Sequence, residues 1–209
     1  MGVLSEIFED PEIAYKIRKK LPRLFKIAEL ESSRSGKIGM EVGSLRERII
    51  VALLIYKYGE SNVKTEIPIT ESETDVIVCG EPISIKTITN RNLRGIKVIW
   101  TVDAQKSVLF QREYIPKCDL ILVQINWGGI GAFYYIPLEA QQEVIRRIGR
   151  ENYFSLPKAG TNPRGIEFSK DAMQELSDHL STRKIDIQWN IEEIEHNQYK
   201  QWLDYWRDN

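Results

Sequence analysis

A chain of 209 residues is long enough for one domain with a sizeable core, and 42% hydrophobic with 28% charged residues is an ordinary globular composition. The longest apolar run, Ile49 to Tyr56, is far shorter than a membrane span, and the acidic, proline-interrupted N-terminus does not resemble a signal peptide. Two cysteines without a Cys/His cluster give no zinc motif, and we expect a cytoplasmic protein with no membrane partner.

Charge is unevenly distributed along the chain, although the net charge is only −1. Between Lys16 and Arg48 there are ten Lys or Arg against four Glu, whereas from Asp186 onwards there are six acidic residues against two basic ones. This asymmetry is compatible with a basic face turned towards phosphates and an acidic far side, although most charge runs are only solvated surfaces.

Helices are predicted in the first 60 residues. Apolar positions at helical spacing indicate a helix over residues 10–31, or two helices broken near Pro22. Three glycines and four serines favour a loop over residues 32–44. Ser44 with Glu47 three residues later matches a capping box, which predicts a helix that starts there and runs to about Tyr58.

Strands and helices alternate in the rest of the chain. β-Branched or alternating runs predict strands over residues 63–69, 75–79, 83–89, 119–127, 132–137 and 185–189. Residues 96–102 fit either a strand or the start of a helix, and residues 155–169 are typical of a loop. Helices are predicted over residues 138–149, 170–180 after a Ser169 cap, and 191–206. This order indicates an α/β protein with a central mixed β-sheet flanked by helices.

Two side chains of opposite charge lie on the strands of the predicted hairpin. If the hairpin closes at Gly80 and Glu81, Asp75 lies directly opposite Lys86. Such a pair is either a surface ion pair or a metal-binding carboxylate beside a lysine that stabilises an attacking water or a phosphate.

The segment from Thr74 to Lys86 resembles the signature of the PD-(D/E)XK nucleases, in which an Asp opens one strand and a (D/E)-X-K triplet follows on the next. Thr74 stands in place of the Pro, and Ser84 in place of the second acid. One carboxylate alone is a poor cage for a divalent metal. Our candidate for a compensating acid is Glu47, because some restriction enzymes of this superfamily supply a glutamate from the preceding helix; Glu81 in the hairpin turn stays open as the alternative.

The resemblance implies a chemistry. Mg²⁺ would be held by the Asp75 carboxylate and the backbone carbonyl of Ile85, and Lys86 would lie beside the attacking water. Glu47 would bind the metal through water or orient that water, unless its carboxylate is used in the capping box. The expected reaction is hydrolysis of a phosphodiester bond that leaves a 5′-phosphate.

The whole chain resembles a type II restriction endonuclease of this superfamily in its size, the GSLRERIIVALL helix, Ser84 and the TNPRGIEFS segment. This likeness implies one domain over residues 1–209, with helices and a loop over 1–43, a catalytic core over about 44–136, and helices with a recognition loop over 137–209. It also implies a homodimer acting on double-stranded DNA, with cleavage of CGCG to blunt ends. The alternatives are a structure-specific nuclease like a Holliday junction resolvase and a non-catalytic DNA-binding module.

Three loops carry candidate DNA contacts. Arg34 and Lys37 can meet phosphates, and Met40 is either a wedge between base steps or a loop residue tucked into the core. The other candidates are polar or basic residues of two later loops: Asn90, Arg91, Asn92 and Arg94, and then Lys158, Asn162 and Arg164. The aromatic residues Trp189, Trp202, Tyr205 and Trp206 are expected in the core or a dimer interface, since the charge around them is acidic.

Overall fold

The computed structural model describes residues 2–34, 37–39, 41–68, 73–99, 103–156, 165–190 and 192–207. Within them the helices are α1 (Ser5–Glu9), α2 (Pro11–Glu31), α3 (Val42–Tyr58), α4 (Ala104–Glu113), α5 (Leu138–Ile148), α6 (Arg150–Tyr153), α7 (Lys170–Asp178) and α8 (Lys200–Arg207). The strands are β1 (Ser33–Arg34), β2 (Lys37–Ile38), β3 (Val63–Lys64), β4 (Val76–Val78), β5 (Glu81–Thr89), β6 (Lys97–Ile99), β7 (Asp119–Ile125), β8 (Ile130–Ile136), β9 (Phe154–Ser155), β10 (Ile166–Phe168) and β11 (Arg183–Gln188).

A mixed sheet forms the centre of the fold, as the sequence predicts. Its strand order is β11-β8-β7-β5-β4-β3, and β5 pairs with β7 in parallel whereas the other neighbours are antiparallel. β7 is buried along nearly its whole length, which explains its continuous apolar sequence. Lys86 therefore lies on β5, the strand directly beside this protected part of the sheet, and Asp75 lies directly before the next strand, β4.

Helices cover both faces of this sheet. On one face, α2 and α3 bury Phe25, Ile50 and Leu54 against alternate residues of β5, β7 and β8. On the other face, α5, α6 and α7 form a second core around Tyr153 and Met173. Two separate apolar clusters on either side of one sheet are the three-layer α/β arrangement that the element order predicts.

The N-terminal helices confirm the single-helix alternative for residues 10–31 and correct the predicted start of the next helix. α2 is continuous through Pro22, because packing of Leu21 and Phe25 into the core offsets the backbone hydrogen bond that proline cannot make. α3 begins at Val42, earlier than predicted, and the Leu45 amide bonds to the Glu41 carbonyl. Ser44 is therefore already helical and cannot act as an N-cap, so the capping box with Glu47 is wrong.

Several later elements were also predicted incorrectly. The strand expected over residues 63–69 ends at Lys64, before Pro68, which has no amide hydrogen to donate. Residues 155–169, expected to form one loop, instead contribute to β9 and β10 of a small sheet with the order β6-β10-β9. Because β6 is part of this sheet, the strand alternative for residues 96–102 is favoured. The last helix begins only at Lys200, because residues 192–198 lack an apolar stripe.

The C-terminal aromatic residues have two different environments. Trp189 is fully buried in the first core cluster, as expected. Trp202, Tyr205 and Trp206 on α8 are 61%, 79% and 86% exposed, so they are not core residues of the described chain. No helix among the described residues is long and apolar enough to cross a membrane.

The basic and acidic parts of the chain are not on opposite sides. A cleft is lined by the basic residues Arg18, Lys19, Arg23 and Lys26 of α2 and also by Glu192 of the acidic C-terminal segment. In addition, the His196 ring lies 2.8 Å from a carboxylate oxygen of Glu31 at the end of α2. Part of the acidic segment therefore lies beside the basic helix α2 and not on a far side of the molecule.

Candidate active site

A two-residue turn sets the register of the β4–β5 hairpin. Cys79 and Gly80 form the turn with φ angles of 51° and 90°, as hairpin turns of this length require at both central positions. Val76 pairs with Ile83, so Asp75 lies opposite Ser84 rather than Lys86. The predicted register is wrong because the hairpin closes one residue earlier than Gly80–Glu81. Lys86 is two residues further on the same face of β5, within diagonal reach of Asp75.

The Asp75 carboxylate is held at one oxygen by three donors. Its Oδ2 accepts hydrogen bonds from the Ser84 hydroxyl at 3.2 Å, the Ile85 amide at 2.5 Å and the Lys86 ammonium at 3.1 Å. The two charged side chains are 19% and 25% exposed, so this is not a surface ion pair. None of the hydrogen bonds among the described residues uses Oδ1, which leaves that oxygen available for a cation.

Glu47 lines a cleft beside this carboxylate, since Ile85 and Lys86, which donate to Asp75, also line it. This cleft has a volume of about 430 Å³, and Glu47 of α3 lines it together with Ile85 and Lys86 of β5. Burial raises the pKa of the Glu47 carboxyl, the negative charge of Asp75 raises it further, and the charges of Lys86 and Arg48 oppose the shift. Since Glu47 does not cap α3, its carboxylate is free to act towards the cleft.

Glu81, the alternative acid, lies elsewhere. It pairs with Val78 at the turn, three residues along β5 from the position opposite Asp75. At about 3.3 Å per residue, this is on the order of 10 Å from Ser84. Glu47 and not Glu81 is therefore the acid that the fold brings to Asp75 and Lys86.

The donor set fits a hard divalent cation such as Mg²⁺. One oxygen ligand is the free Oδ1 of Asp75. A second is the Ile85 carbonyl, which points to the same edge of β5 as the Ile85 amide. That part of the edge lies beyond the end of β4, where no described strand pairs with it. Among the described residues no group of three or more His, Cys, Asp or Glu could hold a metal ion. Mg²⁺ suits so sparse a set, because it keeps several waters and binds one or two carboxylates.

A buried ion pair, which the sequence analysis missed, supports the helix that carries Glu47. Arg46 and Glu29 have side chains 6% and 5% exposed, and their closest contact is 2.5 Å. Arg46 also donates to the Thr89 hydroxyl at 3.1 Å, and the Trp127 ring nitrogen donates to Glu29 at 2.8 Å. Burial lowers the pKa of the Arg46 guanidinium, which the charge of Glu29 opposes. These contacts hold the first turn of α3 against the end of β5.

The sequence contained a signal for this pair. Arg46 is followed at helical spacing by Ile50 and Leu54, both fully buried, so it belongs to the core-facing stripe of α3. A charged residue on such a stripe predicts a buried partner of opposite charge.

A second acid near the site was also missed. Glu73 lines a cavity of about 20 Å³, roughly the size of one water molecule, together with Ser84 and Lys86. Burial raises the pKa of the Glu73 carboxyl, against the charges of Lys117 and Lys86. Lys86 therefore lies near two carboxyl groups, that of Asp75, to which it donates, and that of Glu73, with which it lines the cavity.

The DNA-contact candidates are only partly within the described chain. Asn90, Arg91, Asn92 and Arg94 are exposed on the loop after β5. Lys37 is exposed on β2, and Arg34 belongs to β1. The remaining candidates lie outside the described residues: Met40, Lys158, Asn162 and Arg164.

Comparison with known proteins agrees with this geometry. A solved structure of a restriction endonuclease in complex with substrate DNA matches the chain with a TM-score of 0.93 and 51% sequence identity, covering 100% of both chains. The comparison with curated proteins found no match. The fold is therefore that of a PD-(D/E)XK nuclease, and the protein is a type II restriction endonuclease, a deoxyribonuclease.

The family follows from the sequence match. The family described as restriction endonuclease ThaI matches residues 7–208, nearly the whole chain. The chain belongs to the ThaI restriction endonuclease family, whose members require a divalent metal.

Proposed function

We propose that this restriction endonuclease hydrolyses phosphodiester bonds in double-stranded DNA with Mg²⁺ held at Asp75, beside the cleft lined by Glu47 and Lys86, leaving 5′-phosphates. The observation that carries the proposal is the Asp75 carboxylate, whose Oδ2 accepts from Ser84, Ile85 and Lys86 while its Oδ1 accepts no hydrogen bond from the described residues. Membership of the ThaI family and the likeness to an endonuclease solved with substrate DNA support the choice of DNA as substrate.

Each residue has a separate task in this proposal. Asp75 is oriented by three donors, so its free oxygen points in one direction before any cation arrives. Lys86 lines the cleft, and its ammonium stabilises the extra negative charge of the phosphate in the transition state. Glu47 orients the attacking water from the wall formed by α3. Bound Mg²⁺ would supply Lewis-acid stabilisation of the phosphate oxygens.

The target and assembly are proposed from the family resemblance. Cleavage of CGCG to blunt ends requires one active site on each strand, and a palindrome has the two-fold symmetry of a homodimer. The same resemblance makes residues 1–209 one domain, with a core over about 44–136. The DNA contacts proposed for all ten candidates stay predictions: Arg34, Lys37, Met40, Asn90, Arg91, Asn92, Arg94, Lys158, Asn162 and Arg164.

Digestion of a plasmid of known sequence tests the proposal. Wild-type protein is compared in Mg²⁺ and in EDTA with Asp75→Asn, and with Asp186→Asn as a matched control on β11 at the other end of the sheet. Discrete fragments in Mg²⁺ are expected for wild type and the control, with a loss of about 10³-fold for Asp75→Asn, since the metal contributes several kcal/mol.

The fragments also test the finer statements. Sequencing of the fragment ends gives the target sequence and the stagger directly. Ends that do not correspond to blunt cuts at CGCG would refute the proposed target and stagger but not the proposed active site. A smear would indicate cleavage without sequence specificity. Equal cleavage by Asp75→Asn, or uncut plasmid from folded wild-type protein, would overturn the proposed site.

A further inference from the structure

A polar groove lies between the loop that follows β5 and helix α7. It has a volume of about 280 Å³. Its floor contains Gln124, Tyr134 and Met173, which are only 8%, 9% and 1% exposed. The groove is therefore built on the rigid second core of the protein rather than on mobile side chains.

The charged side chains among the described lining of this groove are all basic. Arg91, Arg94 and Lys170 line it, and no acidic residue is among its described lining residues. In the part of the chain that the structure describes, none of these three cations is in an ion pair. Like charges that face one groove repel each other, and a bound polyanion removes that repulsion.

Both walls of the groove are held in place. The buried Gln124 amide donates to the Asn90 carbonyl at 3.3 Å and to the Arg91 carbonyl at 2.9 Å, which holds the loop over the end of β7. On the other wall, Lys170, Gln174 and Ser177 are spaced at one helical face of α7. Gln174 also donates to Asp178 at 2.5 Å, which fixes its amide group. Fixed donors bind an anion at a lower entropy cost than mobile ones.

The groove adjoins the catalytic cleft. The loop that carries Arg91 and Arg94 continues into Gly95 and Lys97, which line the cleft of Glu47 and Lys86. The groove and the cleft are therefore separated by only a few residues of one loop, which puts the groove close to a DNA backbone seated in the cleft. Among the described residues that line the groove, Tyr134 is the one aromatic side chain, and it is too buried to stack on a base. Ammonium, guanidinium, amide and hydroxyl groups, in contrast, are the usual donors to phosphate oxygens.

We infer that the groove formed by Arg91, Arg94, Lys170, Gln174 and Ser177 binds phosphates of the DNA backbone beside the cleaved position. It strengthens binding to any sequence and selects none, because phosphates carry no sequence information. The inference rests on the proposed function, and it adds the exposed face of α7 to the DNA-binding surface.

The test measures DNA binding as a function of salt. Dissociation constants are determined in EDTA, from 50 to 200 mM KCl, for a duplex with the mapped target site and for a duplex of equal composition without it. Lys170→Gln is compared with wild type and with Lys20→Gln, a matched helical lysine that is exposed on α2, on the opposite face of the sheet.

The expected result is a parallel loss of affinity for both duplexes in Lys170→Gln, with the ratio between them unchanged. Loss of one phosphate contact lowers the salt slope by about 0.9, so the affinity ratio of wild type to variant falls about 3.5-fold across this fourfold salt range. Lys20→Gln is expected to behave as wild type, and all three proteins should melt at the same temperature.

Two outcomes would overturn the inference alone. If wild type cuts at discrete sites but Lys170→Gln binds both duplexes as wild type does, the groove does not contact DNA. If only the ratio of specific to nonspecific binding changes, with an unaltered salt slope, the groove reads bases. If folded wild-type protein binds neither duplex, the proposed function fails together with the inference.

Discussion

Removal of Arg46 should destabilise the protein through its buried partner. Breaking a buried ion pair costs about 3–5 kcal/mol, because the remaining charge is left uncompensated. Glu29 would keep the Trp127 N–H at 2.8 Å and the Lys26 ammonium at 3.7 Å, so we expect the lower end, about 3 kcal/mol, for Arg46→Ala. For a chain of this size, about 1 kcal/mol shifts the melting temperature by about 2–4 °C, which predicts a fall of about 6–12 °C.

A double variant separates stability from activity. Arg46→Met with Glu29→Gln leaves no buried charge, so most of the lost stability should return. The hydrogen bond from Arg46 to Thr89, which holds α3 to β5, would still be absent. Glu47 would then be misplaced relative to Lys86, and an error of about 1 Å can lower kcat about 100-fold. Melting curves and single-turnover cleavage, both in Mg²⁺, measure the two effects.

Lys57→Met is the matched control, since Lys57 pairs with Asp10 at the opposite end of α3. We expect it to cleave DNA at the wild-type rate. The reasoning fails if Arg46→Ala melts within about 1 °C of wild type, or if the double variant is as unstable as the single one. Wild-type cleavage by the double variant would show that the ion pair does not position Glu47.

The remaining predictions concern the cleft itself. Glu47→Gln should lose cleavage activity but melt at or above the wild-type temperature at pH 7 to 8. Burial raises the pKa of the Glu47 carboxyl in the folded protein, so its ionised form destabilises the fold at these pH values, and glutamine removes that charge. The gap in melting temperature should shrink as the pH falls towards the ordinary pKa of 4.5 and disappear below it, where the carboxyl is protonated in both states; a gap that widens on acidification would contradict this. Ser84→Ala removes one of three hydrogen bonds to Asp75, worth about 0.5–1.5 kcal/mol, so single-turnover cleavage should slow by about tenfold or less, and a much larger loss would mean that the hydroxyl has a further role.

The local pattern of the sequence was sufficient for the main elements and the central chemistry. Some sequence patterns depend only on which residues of a single segment are buried. They are the β-branched runs of β4 and β5, the apolar run of β7 and the helical spacing of α2, and the structure contains all four elements. Asp75 and Lys86 are close in sequence and joined by a tight turn, so any hairpin brings them near each other. For this reason the motif could be recognised although the exact register was predicted incorrectly.

Only the tertiary structure decided how distant segments meet. The short strands β6, β9 and β10 are too brief to show a periodicity, and they pair because the second core brings them together. The partner of Arg46 on α2 and the loop held by Gln124 likewise depend on packing between elements far apart in the chain. Periodicity tells which side of a segment is buried, but which buried group faces which is determined by the three-dimensional packing of the whole domain.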